Sequence, residues 1–128
     1  MGDIRPGLTG EAKDRVTEAN TAQAYGSGQV NVYATPAMIG LMENAALKSV
    51  EPLLDEGTTT VGMSVNIKHL APTLIGMAVT AKTVLKEVDG RRLLFSVEAF
   101  DEKGKIGEGL HERFIINLNK FLTKLENK

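Results

Sequence analysis

Residues 35–54 read TPAMIGLMENAALKSVEPLL, and this stretch decides the fold. At about 100° per residue, Asn44, Lys48 and Glu51 fall on one narrow polar stripe. Met38, Ile39, Leu41, Met42, Ala45, Ala46, Leu47, Val50, Leu53 and Leu54 fill the rest of the circumference. A helix apolar over most of its surface must be enclosed by other elements. Thr35 followed by Pro36 is a helix start, with a hydroxyl at the N-cap and proline at the first helical position. Asp55-Glu56-Gly57 ends it. Glu43 is the anomaly. It projects between Ile39, Leu47, Val50 and Leu54, and a carboxylate on an apolar face needs a partner or a task.

Working outward, everything after the helix alternates with the period of strands. Thr58–Leu70 places Val61, Met63, Val65, Ile67 and His69 on one face, with Gly62 and Ser64 opposite, and stops near Pro72. Met77–Val88 aligns Val79, Ala81, Thr83 and Leu85. Asp89-Gly90 is a two-residue hairpin turn. Arg91–Asp101 aligns Leu93, Phe95, Val97 and Ala99. Lys105–Leu118 aligns Leu110, Phe114, Ile116 and Leu118.

Before the helix the pattern is weak. Residues 1–10 read as an arm, and Glu11–Tyr25 allows one strand. Residues 119–128 read as a polar, exposed tail. The expectation is one α+β domain over 1–128, a four-strand antiparallel meander curled around one long central helix. This is the hotdog architecture. Such a sheet has open edges, so a homodimer is expected, with a tetramer as the larger alternative.

Composition narrows the function. The chain has 128 residues, 42% hydrophobic and 24% charged, with a net charge of −1. It carries no basic field for nucleic acid or an anionic membrane. With no cysteine, a thiolate nucleophile and Cys-ligated metals are excluded. No apolar run reaches the ~20 residues of a membrane span, and the first residues have no apolar signal core. A soluble, cytoplasmic protein without nucleic-acid or membrane partners is expected.

The chemistry-bearing residues are few. His69 ends the apolar row of a strand as Glu43 interrupts that of the helix, so acid and imidazole read as a pair for acid–base or nucleophilic work. Thr35 reads as a helix cap, a nucleophile or a water-orienting hydroxyl. His111 and Arg113 lie opposite Leu110, on the face of Gly107 and Gly109. Glycines there allow close approach of a ligand or backbone, and the Arg113 fork suits a phosphate or carboxylate. The competing reading packs that face on a partner subunit. Two histidines without clustered carboxylates make a poor metal site, and no nucleophile elbow, Walker loop or dinucleotide fingerprint is present.

Thr35, Glu43, His69 and the run Gly107-Glu-Gly-Leu-His-Glu-Arg113 together resemble the fluoroacetyl-CoA thioesterase-like family of hotdog proteins. The resemblance spans about Val30 to Phe121. It implies a catalytic triad of Thr35, Glu43 and His69, with Gly62 and Arg113 contacting substrate. It also implies hydrolysis of a small acyl-CoA thioester with no metal and no cofactor beyond the coenzyme A of the substrate. His69, balanced by Glu43, would move protons while Thr35 attacks the carbonyl or positions water. The alternatives on the same fold are a non-catalytic acyl-CoA or small-ligand binder and an acyl-CoA dehydratase. One departure is plain. The fluoroacetate-specific member uses aromatic side chains ahead of the helix as a lid, whereas this chain has only Tyr25 and Tyr33 there and no Phe. The resemblance therefore carries acyl-CoA hydrolysis but not selectivity for the fluorinated acyl group.

Overall fold

The computed structural model describes residues 2–128. In chain order these form β1 (Thr9–Arg15), α1 (Ala22–Tyr25), α2 (Thr35–Val50), β2 (Thr58–His69), β3 (Ala78–Asp89), β4 (Arg92–Asp101), β5 (Gly104–Asn117) and α3 (Leu118–Glu126). A 3-10 turn, Glu51–Leu53, extends α2. The strands form one antiparallel sheet in the order β1-β3-β4-β5-β2. It curls around α2, the hotdog arrangement expected from the sequence. Among the described residues no helix is long and apolar enough to cross a membrane.

The core lies between α2 and the sheet. Met38, Met42, Ala45, Ala46 and Val50 pack among Val79, Ala81, Leu85, Leu93, Phe95 and Val97, all at most 1% exposed. Truncating one such large side chain, Met42→Ala for instance, costs ~2–5 kcal/mol. Small residues set how closely the layers approach. A Cβ at Gly10 on β1 would run into the Ala45 carbonyl oxygen, so only glycine lets this edge strand lie on the helix backbone.

The strand order differs from a simple meander. Only β3, β4 and β5 follow one another; β2 pairs with β5, and β1 takes the other side of β3. Alternation shows that a segment is a strand but not which strand it joins. The ends differ too. Of the expected arm, Met1 lies outside the described residues, while Gly7 donates to the Leu85 carbonyl and Leu85 to that of Leu8. The N-terminal segment is thus tied to β3, and β1 begins inside it. The expected tail forms α3, whose first turn is capped by Asn117 accepting from the Lys120 N–H.

Two register details decide the site. Met63 is a β-bulge: Gly62 opposes Arg113, and Ser64 opposes Glu112. One extra residue reverses the alternation. Directly opposed residues share a face, so Thr60 and Gly62 before the bulge join Val65, Ile67 and His69 after it. The sequence pattern had placed Gly62 opposite His69. In β5 the inward row is Gly107, Gly109, His111 and Arg113, and Leu110 faces out, 45% exposed. Gly107 confirms the direction, because a Cβ there would stand 2.6 Å from Met38 Sδ on α2. The polar row of β5 thus faces the helix, and its apolar row faces away.

Candidate active site

Thr35 is the first residue of α2, and Ala34 occupies the N-cap. The threonine hydroxyl caps nothing. It lies 2.7 Å from Nδ1 of His69, the last residue of β2. Both sides of this contact are held by backbone. Tyr33 donates its N–H to the Thr73 carbonyl, and Ala34 donates to that of Asn20. The Tyr33 ring is 1% exposed, and its hydroxyl donates to Asp14 Oδ2 at 2.8 Å. Across the gap, the Leu70 N–H donates to the Ile106 carbonyl at 2.7 Å. The pair therefore sits at the mouth of a helix with two anchored approaches.

His69 is half-buried, and its Nε2 is enclosed without a hydrogen-bond partner. Burial lowers its pKa below the usual 6.5, which the Ala71 backbone partly opposes. A neutral imidazole here has one nitrogen on the Thr35 hydroxyl and the other shielded from solvent. A cleft of about 330 Å³ opens beside the pair, lined by Val32, Tyr33, Thr35, His69, Leu70 and Pro72.

Glu43 does not reach His69. Two turns along α2 from Thr35, it lies about 12 Å farther down the helix axis by the rise of a regular helix. Its carboxylate stands over β2, with Oε2 3.0 Å from the point a Cβ at Gly62 would occupy. His111 Cε1 and Arg113 Nη1 are 3.5 and 3.8 Å from that same point. The missing side chain of Gly62 thus leaves a small space ringed by an acid, an imidazole and a guanidinium.

Arg113 is 6% exposed, and all three of its nitrogens are bonded. Nε donates to Thr60 Oγ1 at 2.8 Å, Nη2 to the Thr60 carbonyl at 3.0 Å, and Nη1 to His111 Nε2 at 3.1 Å. Burial pushes its pKa down while Glu43 and Glu51 push it up, and it remains a cation. So the fork expected to hold a phosphate or carboxylate is inside the protein and gripped by its own strand neighbours.

The sequence reading brought Glu43 to His69. The fold instead divides the residues between two poles. Thr35 and His69 meet at the helix mouth; Glu43, Gly62 and Arg113 meet farther along. His111 and Thr60 were not assigned to the site by sequence. The glycine-spaced polar row of β5 was the available signal for His111. Nothing local announced Thr60, because the bulge at Met63 is what turns it inward.

With this geometry in view, residues 16–119 match the sequence profile of the fluoroacetyl-CoA-specific thioesterase family, FlK. The chain belongs to that family. A fluoroacetyl-CoA thioesterase of Streptantibioticus cattleyicolor is 41% identical over 97 residues, 76% of this chain and 70% of that protein. A solved structure of the fluoroacetyl-CoA thioesterase FlK matches with a TM-score of 0.92 and 34% identity, covering 98% of each chain. A mutant of that enzyme has been solved with fluoroacetate and CoA. A Thermus thermophilus hypothetical protein of the thioesterase superfamily matches with a TM-score of 0.91 and 33% identity, covering 99% of this chain and 94% of that one. Members of the fluoroacetyl-CoA-specific thioesterase family are thioester hydrolases, and this chain is a homologue of one.

Proposed function

We propose that this chain hydrolyses a small acyl-CoA thioester at the Thr35–His69 pair, with Glu43, Gly62 and Arg113 completing the site and no metal taking part. The observation that carries this reading is the 2.7 Å contact between the Thr35 hydroxyl and His69 Nδ1 at the mouth of α2. A hydroxyl on a neutral imidazole is the arrangement for removing a proton from an attacking oxygen. The thioester carbonyl accepts either the Thr35 oxygen or a water held by it. The C–S bond breaks, and the coenzyme A thiolate takes up the proton that His69 removed. In the first route a water then releases the acyl group from Thr35. The first turn of α2 supplies the oxyanion site. Pro36 has no N–H and the Met38 N–H is bonded to Ala34, which leaves the Thr35 and Ala37 N–H groups of this turn for that task.

Glu43 and Arg113 serve the acyl end. A guanidinium buried under the helix cannot meet the phosphates of coenzyme A at the surface, but its Nη1 borders the space over Gly62. The dehydratase alternative leaves Thr35 without chemistry, so the Thr35–His69 contact counts against it. The binding-only alternative has no use for that contact either.

A homodimer fits the same reading. β2 ends the sheet, and Met63 and Val65 on it are 53% and 45% exposed. A second copy meeting this edge covers both and brings two sites together. The test is thiol release over a panel of acetyl-, fluoroacetyl-, propionyl- and longer acyl-CoAs. Turnover of the short members that falls with His69→Ala supports the proposal. Tight binding without thiol release overturns it in favour of a binding protein. The absence of a phenylalanine lid argues for no preference between acetyl and fluoroacetyl groups. Tyr33 offers no substitute, since its hydroxyl is fixed to Asp14.

A further inference from the structure

The sequence and the resemblance assign no role to His111, yet it is among the most enclosed polar side chains in the molecule, 1% exposed. Its ring lies against Phe95 with centroids 6.3 Å apart. Its two nitrogens have different partners. Nδ1 is 2.8 Å from the Ser64 carbonyl, just past the bulge in β2. Nε2 is 3.1 Å from Nη1 of Arg113. A carbonyl only accepts and a guanidinium only donates, so the tautomer is determined: Nδ1 carries the hydrogen and Nε2 is a bare lone pair.

We propose that His111 is a positioning residue, whose neutral Nε2 holds one Nη1 hydrogen of Arg113 and so aims the other into the space above Gly62, toward Glu43 and the acyl group. Arg113 is gripped at Nε and Nη2 by Thr60 alone. Those two bonds fix one side of the guanidinium and leave Nη1 unsupported. His111 supplies the third support. A lysine or arginine at 111 could not accept a hydrogen bond, and a protonated imidazole could not either. Burial holds the ring neutral, as does the Arg113 charge; the Ser64 carbonyl and the carboxylates Glu43 and Glu112 oppose this. The assignment rests on the thioesterase reading for the meaning of the space, but not for the geometry.

Two substitutions separate positioning from mere support of the bulge. In His111→Gln the amide oxygen stands near the place of Nε2 and still accepts from Arg113, while the bond to Ser64 is lost. In His111→Asn the amide nitrogen stands near the place of Nδ1 and still donates to Ser64, while nothing reaches Arg113. Each variant keeps one bond of the two. Positioning predicts that His111→Asn lowers kcat/KM for a short acyl-CoA by about 10–100-fold while His111→Gln stays within about threefold of the parent. It also predicts separate Arg113 Nη proton signals by NMR in the parent and His111→Gln, merged by rotation in His111→Asn. The reverse order, with Asn active and Gln impaired, makes His111 a tether for the bulge and overturns the proposal. So do equal losses that track the melting temperature. If the parent turns over none of the acyl-CoAs, the thioesterase reading fails and the Arg113 spectra alone decide: the stated pattern sustains the positioning role, and identical spectra in all three proteins remove it.

Discussion

The Glu43 carboxylate and Gly62 face each other across the space between α2 and β2, with Oε2 3.0 Å from the position of a Cβ at residue 62. A methyl group there is tighter than ordinary contact, and the atom it presses is the end of a side chain that can turn away. Gly62 has no positive φ, so alanine meets no backbone strain. Gly62→Ala is therefore expected to leave the melting temperature nearly unchanged while displacing Glu43. Catalysis should fall by about tenfold, equivalent to ~1.4 kcal/mol. A melting curve and thiol-release kinetics on the same sample check this; full activity would show that the space plays no part.

Thr35 separates a cap from a reactant. A hydroxyl that caps a helix is worth about 1 kcal/mol of stability. Here the N-cap is Ala34 and the Thr35 oxygen bonds to His69. Thr35→Ala should cost under ~0.5 kcal/mol in urea unfolding, as for an exposed surface substitution, while hydrolysis falls sharply. A loss near a full cap with activity retained would return Thr35 to a structural role. Intact-mass measurement during a single turnover then tells the two routes apart: an acyl adduct that Thr35→Ala abolishes marks covalent attack.

Both histidines give the protein an acid-side weakness. Burial lowers the pKa of His69 and of His111 below 6.5 in the folded chain. Between that unfolded value and the lower folded ones, the unfolded state binds more protons, so stability falls as pH falls through the window. The contribution is complete above pH 6.5. The urea midpoint should drop on acidification from pH 7 toward 5, and His111→Gln should remove part of that drop. A midpoint equally pH-dependent in His111→Gln and the parent would place the titration elsewhere.

How much of this was legible beforehand follows from where each signal lives. The central helix was legible because twenty residues carry one dense periodic pattern, and β3 and β4 because each alternates over the stretch that enters the core, Val79 to Leu85 and Leu93 to Ala99. The buried row of β5 was visible as Gly107, Gly109, His111 and Arg113 in phase, but its direction was not. Alternation gives two faces without saying which is inside, and the glycine row proved to be the one pressed on Met38. The inward turn of Thr60 and Gly62 depends on one bulged residue, Met63, which no propensity marks. The pairing of Glu43 with His69 assumed that two anomalies must meet. Helical rise already held Thr35 and Glu43 apart, and His69 meets Thr35 while Glu43 stands over Gly62.

Arg113 tests the depth of the site. A surface phosphate clamp would matter only to full-length coenzyme A. A guanidinium 6% exposed and bonded to Thr60 and His111 is expected to act on the acyl end instead. Arg113→Lys, which keeps the charge but not the fork, is expected to lower kcat/KM about equally for an acyl-CoA and for the same acyl group on a truncated thiol, by about tenfold or more. Loss confined to the full coenzyme would put Arg113 on the phosphates.

The most direct measurement is the rate of thiol release from acetyl-CoA by the parent protein and by His69→Ala, compared at matched folded concentration. The account predicts turnover by the parent and a loss of roughly 10²–10⁴-fold in the variant, with an unchanged melting temperature. Equal rates in the two proteins, or no release by the parent from any short acyl-CoA, would contradict a hydrolytic site at Thr35 and His69.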